Sequence, residues 1–150
     1  MKMIIDGKKA DSVSGETFDI INPATGKVID SVPKATAEDI RMAVTAAVRG
    51  QKKWARVPVS QRADILYKFI DIVEENKESL AQTLCAENGK PISEARGEIA
   101  NIRIAFSGFI EHAKHYYGTI IPPGTEAGQE KHMQLVTREP IGVVACIIPF

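Results

Sequence analysis

The feature that most constrains this chain is a run of six apolar residues, Val143 to Ile148, bounded by Gly142 and Pro149. The run contains no polar residue and is rich in β-branched side chains. Such a run predicts a strand that is buried on both faces, and strands of this kind lie in the middle of parallel sheets covered by helices. Ligands of those sheets bind at the carboxyl ends of the strands. The sequence therefore predicts an α/β fold with a ligand site next to Pro149 and Phe150.

Composition and charge exclude several classes of function. At 150 residues the chain is long enough for one domain with a hydrophobic core. Its 19 basic and 19 acidic residues give a formal net charge of zero, which provides no electrostatic attraction to nucleic acid or to an anionic membrane. No signal peptide or membrane-spanning stretch is predicted, and the two cysteines suit a reducing compartment. We therefore predict a cytoplasmic protein without nucleic-acid or membrane partners.

The amino-terminal segment predicts two β-hairpins. Asp6-Gly7 provides the positive φ angles that a two-residue hairpin turn needs. Asn22 to Gly26 favours the turn of the second hairpin, because Asn bonds to nearby backbone, Pro restricts φ and Gly allows the left-handed region.

Four helices are predicted from apolar residues that recur three and four positions apart. The first begins after the N-cap Thr36, the second after the cap Ser60, and the third ends at Asn88-Gly89. The fourth, from about Pro91 to Tyr117, has the strongest periodic signal. The predicted buried stripes are Ile40, Ala43, Val44, Ala47 and Val48; Leu66, Phe69, Ile70 and Val73, widened by Ile65 and Ile72; Leu80, Leu84 and Cys85; and Ile92, Ala95, Ile99, Ile102, Phe106, Phe109, Ala113 and Tyr116.

A two-stranded antiparallel arm is predicted after the fourth helix. Thr119 to Ile121 and Met133 to Thr137 are joined by a loop rich in Pro and Gly. A lone two-stranded ribbon is marginal in water, so the apolar side of this arm needs another surface to cover it. A partner subunit would supply that surface.

Five short motifs, in order along the chain, resemble the amino-terminal part of the aldehyde dehydrogenase superfamily. Each motif alone is weak, but five in this order and spacing are specific, and the resemblance covers essentially the whole chain. The motifs are Ile21-Asn22-Pro23-Ala24-Thr25-Gly26-Lys27; Trp54 followed by Arg62; Glu87-Asn88-Gly89-Lys90-Pro91; Tyr116-Tyr117-Gly118; and Arg138-Glu139-Pro140-Ile141-Gly142-Val143-Val144, running to Ile147-Ile148-Pro149-Phe150.

The resemblance implies an enzyme that oxidises a small aldehyde to a carboxylic acid with NAD or NADP. Such enzymes have a Rossmann-like cofactor domain, a catalytic domain and a β arm for oligomerisation. By this pattern, residues 1–118 are the amino-terminal part of the cofactor-binding domain, 119–139 are the arm of a homodimer or homotetramer, and 140–150 hold the first strand of the dinucleotide-binding sheet. The implied cofactor-binding residues are Ile147, Ile148, Pro149 and Phe150, near the ribose and nicotinamide.

The resemblance assigns no catalytic residue to this chain. In the family, a Cys attacks the aldehyde to give a thiohemiacetal, hydride leaves to the cofactor, and a Glu-activated water hydrolyses the resulting thioester. An Asn amide that stabilises the oxyanion is expected immediately after Phe150, and the Cys and Glu further on. We therefore expect this chain by itself to be inactive. Its sequence decides neither the aldehyde nor the choice between NAD and NADP.

The cysteines and histidines within the chain favour structural interpretations. Cys146, in the apolar run, and Cys85, on a helical stripe, are predicted to be buried and inert thiols, since apolar burial disfavours the thiolate. His112, His115 and His132 lack a Cys or carboxylate at ligand spacing, which favours solvated side chains over metal ligands.

A monovalent-cation site is a further implication of the resemblance. In some relatives a carboxylate at the Gly-Lys-Pro junction and a backbone carbonyl near the Asn-Pro turn hold the ion. In this sequence these would be Glu87 and Ile21. The alternative is that Glu87 faces water or pairs with Lys90.

Two functional hypotheses follow. The first is a part of an NAD(P)-dependent aldehyde dehydrogenase. The second is a non-enzymatic binding or assembly module made of the helical and arm segments. An acylating branch of the superfamily, or one acting on phosphorylated substrates, stays open because the residues that select the substrate are expected downstream.

Overall fold

The computed structural model describes residues 1–148, which contain six short strands and four helices. The strands pair, within this part of the chain, as three separate antiparallel hairpins: β1 with β2, β3 with β4, and β5 with β6. The two predicted hairpins are confirmed, and so is the antiparallel pairing of the two predicted arm strands. The elements are β1 (Met3–Ile5), β2 (Lys8–Ala10), β3 (Thr17–Ile21), β4 (Val28–Pro33), α1 (Ala37–Trp54), α2 (Val59–Glu75), α3 (Lys77–Asn88), α4 (Ile92–Lys114), β5 (Thr119–Ile121) and β6 (Gln134–Val136).

The two amino-terminal hairpins turn at the predicted residues. Asp6 and Gly7 have φ angles of 54° and 73°, as a tight hairpin turn of this kind requires. In the second hairpin, the side-chain oxygen of Asn22 accepts hydrogen bonds from the backbone amides of Ala24, at 2.9 Å, and Thr25, at 3.2 Å. The Asn22 side chain thus closes the turn together with its own backbone carbonyl oxygen, which accepts from the Gly26 amide at 2.8 Å.

A buried carboxylate joins the amino-terminal segment to helix α1. The backbone amide and hydroxyl of Thr36 each donate to Asp39 at 2.8 Å, and the Asp39 amide donates back to the Thr36 hydroxyl at 3.3 Å. Asp39 also accepts from the Ser12 hydroxyl at 2.9 Å and from the Val13 amide at 3.1 Å. These donors, first the Thr36 amide, lower the pKa of Asp39 from 3.8 to about 2. The predicted cap at Thr36 is confirmed, and it is a reciprocal capping box.

The packed core lies between α2 and α4. Ile70 is fully buried and clusters with Ala63 and Ile110, which are also buried. Phe69 and Phe106 extend this contact, with ring centroids 5.3 Å apart. The predicted stripe of α2 is therefore correct at its centre.

Helix α3 packs against the first half of α4. Ala81 and Ala95 are fully buried, and small side chains at these positions allow the two helices to approach closely. The guanidinium of Arg96 donates to both carboxylate oxygens of Glu78, at 2.9 and 2.7 Å. Hydrogen bonding to Arg96 is the main reason that the pKa of Glu78 falls from 4.5 to about 2.

The junction between α3 and α4 lies against the turn of the second hairpin. Gly89 ends α3 with a φ of 77°, and its amide donates to the carbonyl oxygen of Cys85 at 2.9 Å. A Cβ atom added to Gly89 would lie 2.6 Å from Cγ of Pro23. The predicted left-handed C-cap is confirmed, and the close contact with Pro23 brings two of the sequence motifs together.

Helix α1 does not bury the predicted stripe. Ile40, Val44 and Val48 are 57%, 50% and 42% exposed, whereas Ala46 and Asp39 are the buried residues. The main contact of α1 within residues 1–148 is with the short strand β1, which is too small to cover an apolar helix face. The apolar spacing predicted the helix correctly but not its burial.

The predicted stripe of α4 is correct only over its first half. Ala95 is buried, but Phe109 is 74% exposed and Ile110 takes the buried position. The predicted spacing alternates between three and four residues and so repeats every seven residues, whereas an α-helix with 3.6 residues per turn drifts from such a stripe by about 20° per heptad. Near the end of α4, Ile110 therefore takes the buried position in place of Phe109. The helix ends at Lys114 and not at the predicted Tyr117.

The predicted cap of α2 is wrong. The helix begins at Val59 after Pro58, and no side chain caps it, so Ser60 lies inside the first turn. Ile65 and Ile72, predicted to widen the buried stripe, are 48% and 58% exposed. No helix among residues 1–148 combines the length and the apolar character that crossing a membrane requires.

The strand predicted at Val143 to Ile148 does not form. Residues 137–148 contain neither helix nor strand, and Val144, Ile147 and Ile148 are 63%, 97% and 76% exposed. A central parallel strand needs neighbouring strands, and none of the three hairpins in residues 1–148 pairs with this segment. The prediction of a strand buried on both faces is therefore wrong for the described residues.

Candidate functional site

The predicted cofactor-binding residues that the structure describes lie on the surface. Ile147 is almost fully exposed and Ile148 is largely exposed, and Pro149 and Phe150 fall outside the described residues. Exposed apolar side chains fit one wall of a dinucleotide site. The residues present thus fit a part of such a site.

The two thiols lack the partner that a nucleophile needs. The Cys85 thiol is half-buried and donates to the carbonyl oxygen of Lys90 at 3.1 Å. Cys146 is exposed, contrary to prediction, because the strand that would have buried it does not form. Neither thiol contacts a His or carboxylate base within the described part of the chain, and an adjacent base is what activates a cysteine.

The histidines lie apart from any group that could hold a metal ion. His112 and His115 contact aromatic rings near the end of α4, with the His115 Nδ1 atom 2.9 Å from the Tyr117 hydroxyl. His132 is exposed in the loop of the arm. Residues 1–148 contain no group of three or more His, Cys, Asp or Glu side chains arranged for a metal ion.

A polar network crosses from α2 to α4 near the end of α4. The Tyr67 hydroxyl donates to Glu111 at 2.8 Å, and Lys114 donates to both carboxylate oxygens at 2.9 and 3.0 Å. Hydrogen bonding to Lys114, then to Tyr67, lowers the pKa of Glu111, and the bond to Glu111 raises the pKa of Tyr67. Tyr67 therefore stays protonated at neutral pH and acts as a donor that ties the two helices together.

The two residues of the predicted cation site belong to neighbouring motifs. Ile21 ends β3, Glu87 lies in the last turn of α3, and both are exposed. The Gly89–Pro23 contact places the junction that carries Glu87 against the turn that follows Ile21. The alternative partner, Lys90, forms an ion pair with Glu98.

A cavity of about 580 Å³ lies between the end of α1, the helices α2 and α4, and the segment 138–140. Its walls include the rings of Trp54 and Tyr116 and the side chains of Leu66 and Ile110. Arg62, Arg138 and Glu139 also line it. Trp54 with Arg62, Tyr116, and Arg138 belong to three separate sequence motifs, but the sequence did not predict that these motifs meet around one cavity. The sequence signal that could have suggested it is the combination of arginine and aromatic residues in these motifs.

The family profile and the sequence relatives that match this chain all belong to one kind of enzyme. The profile of the Aldehyde dehydrogenase family matches residues 10–150. A 3-sulfolactaldehyde dehydrogenase of Pseudomonas putida is 42% identical over 97% of this chain and 29% of its own length. A succinate-semialdehyde dehydrogenase [NADP(+)] of Escherichia coli is 37% identical over 98% of this chain and 30% of its own length.

Solved structures agree with the sequence relatives. An NADP-dependent glyceraldehyde-3-phosphate dehydrogenase from Bacillus halodurans, complexed with NADP, superposes with a TM-score of 0.88 at 30% identity. That match covers 94% of this chain and 30% of the other. The chain therefore spans about a third or less of the length of these relatives, and the mixture of helices and strands is that of a partial fold of this kind. On the profile match and these identities, the chain belongs to the aldehyde dehydrogenase family.

Proposed function

We propose that this chain is part of an NAD(P)-dependent aldehyde dehydrogenase, which oxidises a small aldehyde to a carboxylic acid. The observation that carries the proposal is the family match over residues 10–150, which includes the arm and the segment predicted to contact the cofactor. NAD or NADP would accept hydride from the substrate. Ile147 and Ile148, with Pro149 and Phe150, would form an apolar wall beside that cofactor.

The same proposal holds that the 150 residues do not turn over an aldehyde by themselves. Cys85 and Cys146 contact no His or carboxylate base within residues 1–148, and an adjacent base is what activates a cysteine nucleophile. Both cysteines are unpaired, which supports a reducing compartment, and we propose the cytoplasm. The names of the relatives support a small aldehyde that carries an acidic group at its other end.

We propose that the arm, residues 119–139, joins subunits of a homodimer or homotetramer. Its apolar side chains Ile120, Met133 and Leu135 are 62%, 72% and 68% exposed. A two-stranded ribbon with uncovered apolar side chains gains stability when another surface covers it.

We also propose a monovalent cation between the Ile21 backbone carbonyl and the Glu87 carboxylate. The close contact of Gly89 with Pro23 supports this site, since it holds the two motifs together. Sodium-23 or thallium-205 NMR line broadening on the wild-type chain and a Glu87→Gln variant would test it. Equal broadening in both proteins would exclude Glu87 as a ligand.

The first experiment is a titration of the 150-residue chain with NAD and with NADP by calorimetry, with light scattering on the same sample. We expect no saturable heat, no turnover of succinate semialdehyde, and association through exposed apolar surface. An Ile147→Asp variant should scatter less than an Ile4→Asp control, since both side chains are exposed, at 97% and 74%, but only Ile147 lies in the apolar run.

Saturable cofactor binding by a compact, monodisperse chain would contradict this view. The alternative, a self-sufficient binding or assembly module made of the helices and the arm, would then be favoured. Turnover of an aldehyde by the chain alone would contradict the absence of a catalytic residue.

A further inference from the structure

The cavity between α1, α2, α4 and segment 138–140 contains an arginine without a partner. Nε of Arg62 is buried, and it has no hydrogen-bond partner among residues 1–148. The rest of its guanidinium forms no hydrogen bond or ion pair with the described side chains either. A guanidinium presents a planar fork of N–H donors that matches the two oxygens of a carboxylate. Arg62 therefore offers unused donors to whatever enters the cavity.

A second arginine, Arg138, lines the same cavity. The guanidinium of Arg138 lies 4.9 Å from the ring centroid of Tyr116, in a cation–π contact, and it has no ion pair in the described structure. Glu139 is the acidic residue of the lining, and it is not ion-paired with either arginine. The two arginines and one glutamate give the cavity a net positive charge, which favours an anion.

The remaining walls are apolar. Trp54, Leu66 and Ile110 line the cavity together with Tyr116. A volume of about 580 Å³ is in the range of pockets that hold small organic molecules. Apolar walls with a small number of convergent polar groups are the usual composition of such pockets.

We propose that this cavity binds a small organic carboxylate with an apolar body. The carboxylate lies on Arg62, Arg138 provides a second positive charge, and the apolar body lies against Trp54, Leu66 and Ile110. Neither Ile147 nor Ile148 lines this cavity, so the proposal does not depend on aldehyde oxidation or on cofactor binding.

Trp54 provides a direct readout, because it is the one tryptophan of the chain. The chain would be titrated with hexanoate and with hexanamide, its neutral analogue, while the tryptophan emission is followed. We expect a saturable change with hexanoate and affinity about tenfold weaker for the amide, since only the carboxylate forms charge-assisted hydrogen bonds. Equal affinity for the two probes, or no saturable change with either, would overturn the proposal.

Variants identify the residues responsible. Arg62→Gln should weaken hexanoate binding about tenfold, and Arg62→Lys less, because lysine keeps the charge and loses the fork. Arg41→Gln is the matched control, since Arg41 pairs with Glu38 on α1 and does not line this cavity. Unchanged hexanoate binding by folded Arg62→Gln would overturn the assignment.

If Arg62→Gln does not fold, a variant that fills the cavity tests the same binding site. Ala113 lines the cavity and is exposed, so Ala113→Phe should fill the cavity while both arginines remain. We expect Ala113→Phe to abolish the hexanoate response with an unchanged circular dichroism spectrum. Full hexanoate binding by this variant would place the probe elsewhere and overturn the proposal.

Discussion

Replacing Gly89 with Ala tests how the α3–α4 junction is held against the second hairpin. The φ of 77° costs a residue with a side chain about 1–2 kcal/mol. The new Cβ would also lie 2.6 Å from Cγ of Pro23, where carbon atoms in ordinary contact are 3.4–4 Å apart. Overpacking of this kind costs about 1–3 kcal/mol. We therefore expect Gly89→Ala to lower the free energy of unfolding by about 2–5 kcal/mol.

Two controls separate the backbone cost from the contact. Gly15 has a φ of 71° and open space around its Cβ position, so Gly15→Ala should cost only the backbone part, about 1–2 kcal/mol. Pro23→Ala removes the atom that the new methyl group meets, so Gly89→Ala should cost less in that background. Urea unfolding followed by circular dichroism measures all four variants. A loss for Gly89→Ala no larger than that for Gly15→Ala would refute the reasoning.

Three further predictions concern the core and the carboxylates. Ile70→Ala should lower the free energy of unfolding by about 2–5 kcal/mol because Ile70 is fully buried. Ile104→Ala, at a side chain that is 73% exposed, should change it by about 0.5 kcal/mol or less, and similar losses at both sites would contradict the core. The pKa of Asp39 is about 2 in the folded chain against an ordinary 3.8, so its ionised form adds stability above pH 3.8 that is lost as the pH falls towards 2. Asp39→Asn should reduce this acid dependence in urea unfolding at several pH values, and an unchanged dependence would count against the network. Arg96→Gln should raise the pKa of Glu78 from about 2 towards 4.5, as read from carboxyl chemical shifts, and no rise would show that Arg96 is not the cause.

The predictions that succeeded depend on local interactions. Asp6-Gly7 and Asn22 close turns through their own backbone and side-chain conformations, Thr36 caps the helix that follows it, and Gly89 ends the helix that precedes it. In each case the partner atoms lie within a few residues, so the sequence near the feature contains the whole interaction. The family resemblance succeeded for a related reason, since its motifs are short segments in a fixed order.

The predictions that failed concern burial. Apolar spacing predicted the helices α1 and α4, but Val44 and Phe109 are exposed because no described segment covers them. Burial was also predicted wrongly at a candidate site residue. Cys146 was predicted to be buried and is exposed, because a strand is buried only where neighbouring strands and helices enclose it.

The positions of the turns and helices, the neutral charge and the family can all be read from the sequence. Only the folded chain shows which apolar residues are enclosed, that the α3–α4 junction meets Pro23, and that Arg62 and Arg138 line one cavity with Trp54. This difference arises from the range of the interactions. Turns and caps are formed by atoms close together in the chain, whereas burial and pairing of charges require surfaces that distant segments bring together.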